Sequence, residues 1–247
     1  MIMKTKLMFM MTVVLVSLSS CKVNIGNGGE WIEPSNNIVK AKYPQESFDK
    51  VESQVVGDIQ LVQSQKGNSR VTLSAPENYI DLFEIKNDDG KLNIKYAEGD
   101  FNIDGRNVTI IVYTPTLSQI KNSGAADIRL DSLTTDELDV RNSGVGTFNL
   151  SNIKAKRVDV SCSGVGSITL SGQAEDAEYD CSGVGSINAK DLKASDVKAS
   201  VSGVGGIECY ASEYIKGRVS GVGGLKYAGH PAKKELDHNM TGSISEM

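Results

Sequence analysis

Ser143-Gly144-Val145-Gly146-Thr147-Phe148 returns as Ser163-Gly164-Val165-Gly166-Ser167-Ile168, and again as Ser182-Gly183-Val184-Gly185-Ser186-Ile187. Close variants of this corner begin at Ser123, Ser202 and Ser220, so successive steps are 20, 20, 19, 20 and 18 residues. An apolar residue follows each Ser five positions later: Ile128, Phe148, Ile168, Ile187, Ile207 and Leu225. A fixed period of this length is the signature of a solenoid, in which one repeat cannot bury its apolar face without its neighbours.

Alternation flanks every corner. Before the Ser lie Leu138 and Val140, then Val158 and Val160, then Ala177 and Tyr179, then Val197 and Ala199. After it lie Phe148 and Leu150, Ile168 and Leu170, Ile187 and Ala189, Ile207 and Cys209. The residues between them are mostly polar, among them Asp139, Arg141, Asp159, Asn149 and Thr169. Period two with one apolar side marks half-buried strands. A further apolar point, at Leu133, Ile153 and Leu192, implies another short strand. Equal spacing brings equivalent positions into register at about 4.8 Å, which predicts a parallel β-helix.

The corner glycines are read as bends, because Gly takes positive φ without steric cost. A phosphate-cradling loop would need a following helix, and here a strand follows. The position before the Ser reads Asn122, Asn142, Cys162, Cys181, Val201, Val219. Stacked Asn amides can form a hydrogen-bonded ladder. Cys162 and Cys181, as neighbouring rungs, could form a disulfide in an oxidising compartment or remain two packed thiols. Cys209 occupies an apolar position, and His230 and His238 are far from it in sequence, so no metal site and no cofactor are expected.

The N-terminus supplies an address. Lys4 and Lys6 precede an apolar run from Leu7 to Leu18, too short to span a membrane. It ends at Leu18-Ser19-Ser20-Cys21, which resembles a bacterial lipobox with Cys21 as the lipidated residue. The expected organisation is a lipoprotein signal peptide at 1–20, a flexible tether at 21–38, and a β-helix at 39–247 with regular rungs at about 118–228. Gly26, Gly28, Gly29 and Pro34 break periodicity in the tether, whose extended reach would be about 55 Å. Trp31 lies within it, as a membrane-interface anchor or as a plug over the first rung.

Residues from about Ile38 to Pro115 are β-rich but less regular, and are expected to form irregular early rungs that cover the open end. Val55-Val56-Gly57-Asp58-Ile59-Gln60-Leu61 is a faint copy of Asn122 to Leu130, and Asn87-Asp88-Asp89-Gly90 signals a turn. Thr241-Gly242-Ser243-Ile244 reads as a worn last turn, and Pro231 to His238 as a polar cap.

Together these residues resemble the GIN-domain family, the head domain of "putative auto-transporter adhesins". The likeness spans roughly Phe48 to the C-terminus. It rests on Asp58-Ile59-Gln60-Leu61, on Thr109 to Leu117 with its Pro115-Thr116-Leu117, on the recurring Ser-Gly-x-Gly corners, and on Lys226-Tyr227-Ala228-Gly229-His230-Pro231. The family often carries Ser-Gly-Ser-Gly where this chain has Val third. The resemblance implies a right-handed β-helix on an envelope lipoprotein and brings no catalytic residues. No C-terminal barrel segment that would make the chain an autotransporter is expected.

Three functions compete. The mild acidity, a net charge of −5, offers no basic field for nucleic acid. The favoured reading is a non-enzymatic, lipid-anchored envelope protein that meets the membrane through its lipid and binds a protein or glycan. A carbohydrate-active enzyme would need paired carboxylates. Outward Asp139, Asp159, Glu178, Asp180 and Glu208 are the candidates, with solvated surface charge as the bland alternative. A self-assembling scaffold would pair through the strand edges at the ends of the helix. Ligand, binding face, oligomeric state and the choice between periplasmic and surface display are not legible.

Overall fold

The structure, a computed structural model, describes residues 29–64 and 69–247. Cys21 and the signal segment lie outside the described residues. The repeats stack as a β-solenoid of about six turns. Strands entering the corner pair in parallel, so that Asn122, Asn142, Cys162, Cys181, Val201 and Val219 stand in one column. Strands leaving it do the same, with Ile128, Phe148, Ile168, Ile187, Ile207 and Leu225 in another. Both columns are buried, as are Leu133, Ile153 and Leu192 on the third side.

Unequal rung lengths are absorbed on that third side. Register shifts fall between Leu150 and Ile153, between Thr169 and Ser171, and in two places between Ala189 and Asp196. Both sheets that meet at the Ser corner therefore stay in step through rungs of 18 to 20 residues. The corner itself is tighter than a bend alone requires. A Cβ on Gly144 would lie 2.0 Å from the carbonyl oxygen of Gly124, so backbone stacks directly on backbone. Gly146 adds the expected positive φ, at 142°.

The buried column before the Ser changes chemistry as its residue types suggest. Asn122 Nδ2 donates to Asn142 Oδ1 at 3.2 Å. Further along, Cys162 and Cys181, the pair considered for a disulfide, stand in register as free, buried thiols, and Cys209 is also free and buried. Parallel in-register strands point successive Cβ atoms the same way at the strand spacing, whereas a disulfide needs them at about 3.5–4.5 Å. The Cys181 thiol is pushed well up by its hydrogen bond to Cys162 and by burial. Burial alone pushes the Cys209 thiol up to about 12.

The first half departs from the expected irregular rungs. Lys50–Ser53 and Val56–Gln63 form the two corner sides of one further rung, in parallel register with Gln119–Asn122 and Ala125–Leu130. The remainder is a mixed cap. Thr109–Thr114 lies parallel on Val56–Gln63, Arg70–Pro76 follows antiparallel, and Ile38–Pro44 closes that side antiparallel again. On the adjoining sheet, Lys91–Tyr96 stacks on Lys50–Ser53 and the antiparallel Phe83–Asp88 covers it. The hairpin turns at Asp89-Gly90, both at positive φ. Reversing strand direction ends the parallel stack, and the outermost Ile38–Pro44 carries exposed Lys40 and Lys42 as edge protection.

Of the segment expected as a tether at 21–38, residues 21–28 lie outside the described residues, and the part from Glu30 to Glu33 is docked. Glu30–Trp31 pairs with Phe101–Asn102, which puts Trp31 on the cap. Tyr79 donates its hydroxyl to Ile32 O at 2.7 Å, and Asn78 Nδ2 donates to Glu33 O at 2.9 Å. These partners lie more than 40 residues away, so local sequence could not reveal them.

At the other end Lys233–His238 and Ser243–Glu246 add a last partial rung on Tyr214–Val219 and Gly224–Tyr227. The stretch expected as a cap is thus partly a strand, and the worn turn is real. Asn239 stands near the place of the corner Ser, its Oδ1 accepting from Thr241 and Gly242 N–H.

Candidate interaction faces

Alternation decides which side chains reach solvent. On the sheet that enters the corner, Asp139, Asp159 and Glu178 form one outward column, in register across three rungs. Asp180 lies in the next column, two residues along, and Lys198 continues the first one. Glu208 belongs to the other sheet, beside Asn188 and Lys226. The structure therefore gathers four of the five outward acids named above and separates the fifth.

Three of the gathered acids, Asp139, Asp159 and Glu178, are engaged. Arg141 Nε lies 3.0 Å from both Asp139 carboxylate oxygens, and Gln119 Nε2 donates to Asp139 Oδ2 at 2.8 Å. Arg157 Nε donates to Asp159 Oδ2 at 2.9 Å, and its Nη2 reaches Glu178 Oε2 in the next rung at 3.0 Å. These bonds hold both guanidinium groups above their usual range. Carboxylates and guanidinium groups paired in this way make a patterned surface of alternating sign. Among the described residues no cluster of three His, Cys, Asp or Glu side chains is arranged to hold a metal ion.

The same face contains a shallow depression lined by Arg157, Asp176, Glu178, Asp196, Lys198 and Tyr214. Tyr214 is an outward aromatic that the sequence reading passed over, as are Tyr113 and Tyr210. Each meets a cation: Arg70 lies 3.8 Å from the Tyr113 ring centroid, Lys193 3.9 Å from Tyr210, and Lys233 4.8 Å from Tyr214. Their signal was parity, since each is an odd step from a buried neighbour such as Val112, Cys209 or Ile215.

The Ser corner presents a second face. Val145, Val165, Val184, Val204 and Val222 stand in register and are 50–60% exposed. The corner Ser hydroxyls are exposed beside them. The sequence reading treated this Val only as the third residue of a bend. Counting back from Phe148 by twos reaches Gly146 and leaves Val145 on the outside.

Comparison with known proteins follows the fold. A family model described as "Putative auto-transporter adhesin, head GIN domain" matches residues 47–231. A solved structure of a "putative adhesin" from Bacteroides fragilis NCTC 9343 is 32% identical, with a TM-score of 0.85, covering 87% of this chain and 100% of that one. A "putative adhesin" from Parabacteroides distasonis ATCC 8503 is 21% identical, with a TM-score of 0.70 over 88% of this chain and 100% of that one. A "putative lipid binding protein" from the same organism is 19% identical, also with a TM-score of 0.70, over 88% of this chain and 100% of that one. These last two share the fold. No curated protein matches the chain.

Proposed function

The chain belongs to the family described as "Putative auto-transporter adhesin, head GIN domain", and on that premise we propose that it is a non-enzymatic envelope protein, lipid-anchored at Cys21, that binds a protein or glycan partner. The observation that carries this reading is the charged face around Arg157. Paired acids and bases at fixed rung spacing, with Tyr214 at one side, form a rigid pattern suited to recognition. Charge patterns of this kind give specificity and steer encounter more than they add raw affinity. The Arg-engaged carboxylates of Asp139, Asp159 and Glu178 favour binding over hydrolysis.

The test is binding of the purified chain to cells, glycan arrays and envelope extracts, compared with Arg157→Glu and Lys198→Glu. Both side chains lie on the outer face, so these variants should keep the fold and weaken binding at least tenfold. Equal binding by the variants would remove this face from the reading. Release of reducing ends or unsaturated sugars from a polysaccharide would replace it with an enzyme. Protease treatment of intact cells separates the two addresses: loss of the domain while a periplasmic control survives means surface display, and protection means a periplasmic partner.

A further inference from the structure

Five of the nine large apolar residues that are exposed among the described residues fall in one row: Val145, Val165, Val184, Val204 and Val222. Scattered apolar residues need no explanation, but a contiguous exposed row does. Four steps at the strand spacing make it about 19 Å long. The corners that carry it consist of Ser, Gly and Val alone, with no charge. Each Val N–H is already used along the stack, as in Val145 N to Gly124 O at 2.9 Å and Val222 N to Gly203 O at 3.1 Å.

The same column shows what covering looks like. Its member in the first rung, Val56, is only 4% exposed. Gly105 of the cap packs on its side chain, and the Tyr96 hydroxyl lies 2.9 Å from its backbone nitrogen. Ala125 follows, partly buried, and then the five bare Val side chains begin.

We propose that a second copy of this chain covers this row, with the two Val ladders side by side and parallel about a two-fold axis along the helix. A partner that repeats at the rung spacing can meet every Val in the same way, and this chain's own corner does. The uncharged edge is also where two acidic molecules bring the least like charge together. Half-exposed, the five Val side chains offer on the order of 300–400 Å² of apolar surface per copy. With the Ser hydroxyls and bare glycine backbone, the total buried approaches ~1,000 Å², the size of a weak, reversible interface. Confinement on a membrane raises the effective concentration that such an interface needs.

The parallel orientation rests on the anchoring proposed above. The described chain starts at the cap, where Ile32 N donates to Asn102 O at 2.9 Å. Phe101 packs edge-on against Tyr96, beside Val56 at the head of the ladder. Two copies held by one membrane therefore have their caps at the same end.

Cysteine substitutions made one at a time in the full chain in membranes test this: Val145→Cys, Val184→Cys and Val222→Cys, treated with a short bismaleimide. The native Cys162, Cys181 and Cys209 are buried, and the unsubstituted chain is the control. A parallel two-fold makes each position meet itself, so all three variants should give cross-linked dimers. Cross-linking by Val184→Cys alone would mean an antiparallel pair and overturn the orientation. No cross-linking by any of them would overturn the interface. Purified chain should also dimerise with concentration on sedimentation, weakened at least tenfold by Val184→Lys. Adsorption of unanchored chain to protein-free vesicles, lost in Val184→Lys without any cross-link, would make the row a lipid surface instead. Lipidation and partner binding are read separately, so their failure leaves these outcomes interpretable.

Discussion

Asn122 and Asn142 share a hydrogen bond of 3.2 Å across adjacent rungs, and both side chains are buried to within 1%. Asn122 Nδ2 also lies 3.4 Å from Gly124 O, and its Oδ1 accepts from Gly124 N–H at 3.2 Å. The pair therefore ties the polar end of the column to the corner backbone. Replacing Asn142 alone with Val leaves part of Asn122 unsatisfied and should cost about 1–3 kcal/mol. Replacing both with Val extends the chemistry of Val201 and Val219 and should cost less than the sum of the single changes. Urea denaturation of the three variants checks this.

The corner glycines should differ sharply in tolerance. A Cβ on Gly164 would meet Gly144 O at 2.0 Å, backbone that cannot move without shifting a rung. On Gly206 the nearest atom is Gly224 O at 3.0 Å, and its register partner is Ser186. Gly164→Ala is expected to destabilise by about 3 kcal/mol or more, and Gly206→Ala by roughly 1 kcal/mol or less. Thermal unfolding of the two variants gives the comparison.

The three described cysteines should be unreactive while the chain is folded. All are buried, burial pushes the Cys209 thiol up to about 12, and the hydrogen bond between Cys162 and Cys181 raises Cys181 while it lowers Cys162. Burial shuts the reagent out, so a thiol reagent at pH 8 should label none of them until denaturant is added. Denatured, unreduced protein should then yield all three. A count lower by two would mean that Cys162 and Cys181 had been oxidised to a disulfide.

The last rung should loosen in acid. Lys234 and His230 hold the Glu246 carboxyl down at about 2, with Lys234 Nζ 2.7 Å from Oε2 and His230 Nδ1 2.6 Å from Oε1. A depressed carboxylate stabilises fully above its unfolded value, ordinarily about 4.3, and that contribution is lost as pH falls toward the folded value. Hydrogen exchange in Ser243–Glu246 should therefore lose protection between about pH 4 and pH 2. Glu246→Gln should remove the pH dependence and leave the rung frayed throughout.

Lipidation is tested at the residue itself. Cys21→Ser should abolish incorporation of labelled palmitate and release the chain from the membrane fraction. Retained label would place the lipid elsewhere.

The stack was legible because it is written locally. Each rung repeats the same alternation and the same corner, so period and parity name Phe148, Ile168 and Ile187 as core and predict their register. The outward acids were legible for the same reason, and the exposure of Val145 followed from parity once the strand was known to begin at that residue. Tertiary structure decided what depends on distant partners. Strand direction reverses in the cap because Arg70–Pro76 pairs with Thr109–Thr114, and the segment at Glu30–Trp31 docks because Phe101–Asn102 receives it. Arg157 bridges Asp159 and Glu178 only once their rungs are stacked. Cys162 and Cys181 become neighbours by stacking too, and the direction of their Cβ atoms is not encoded by the 19-residue step between them.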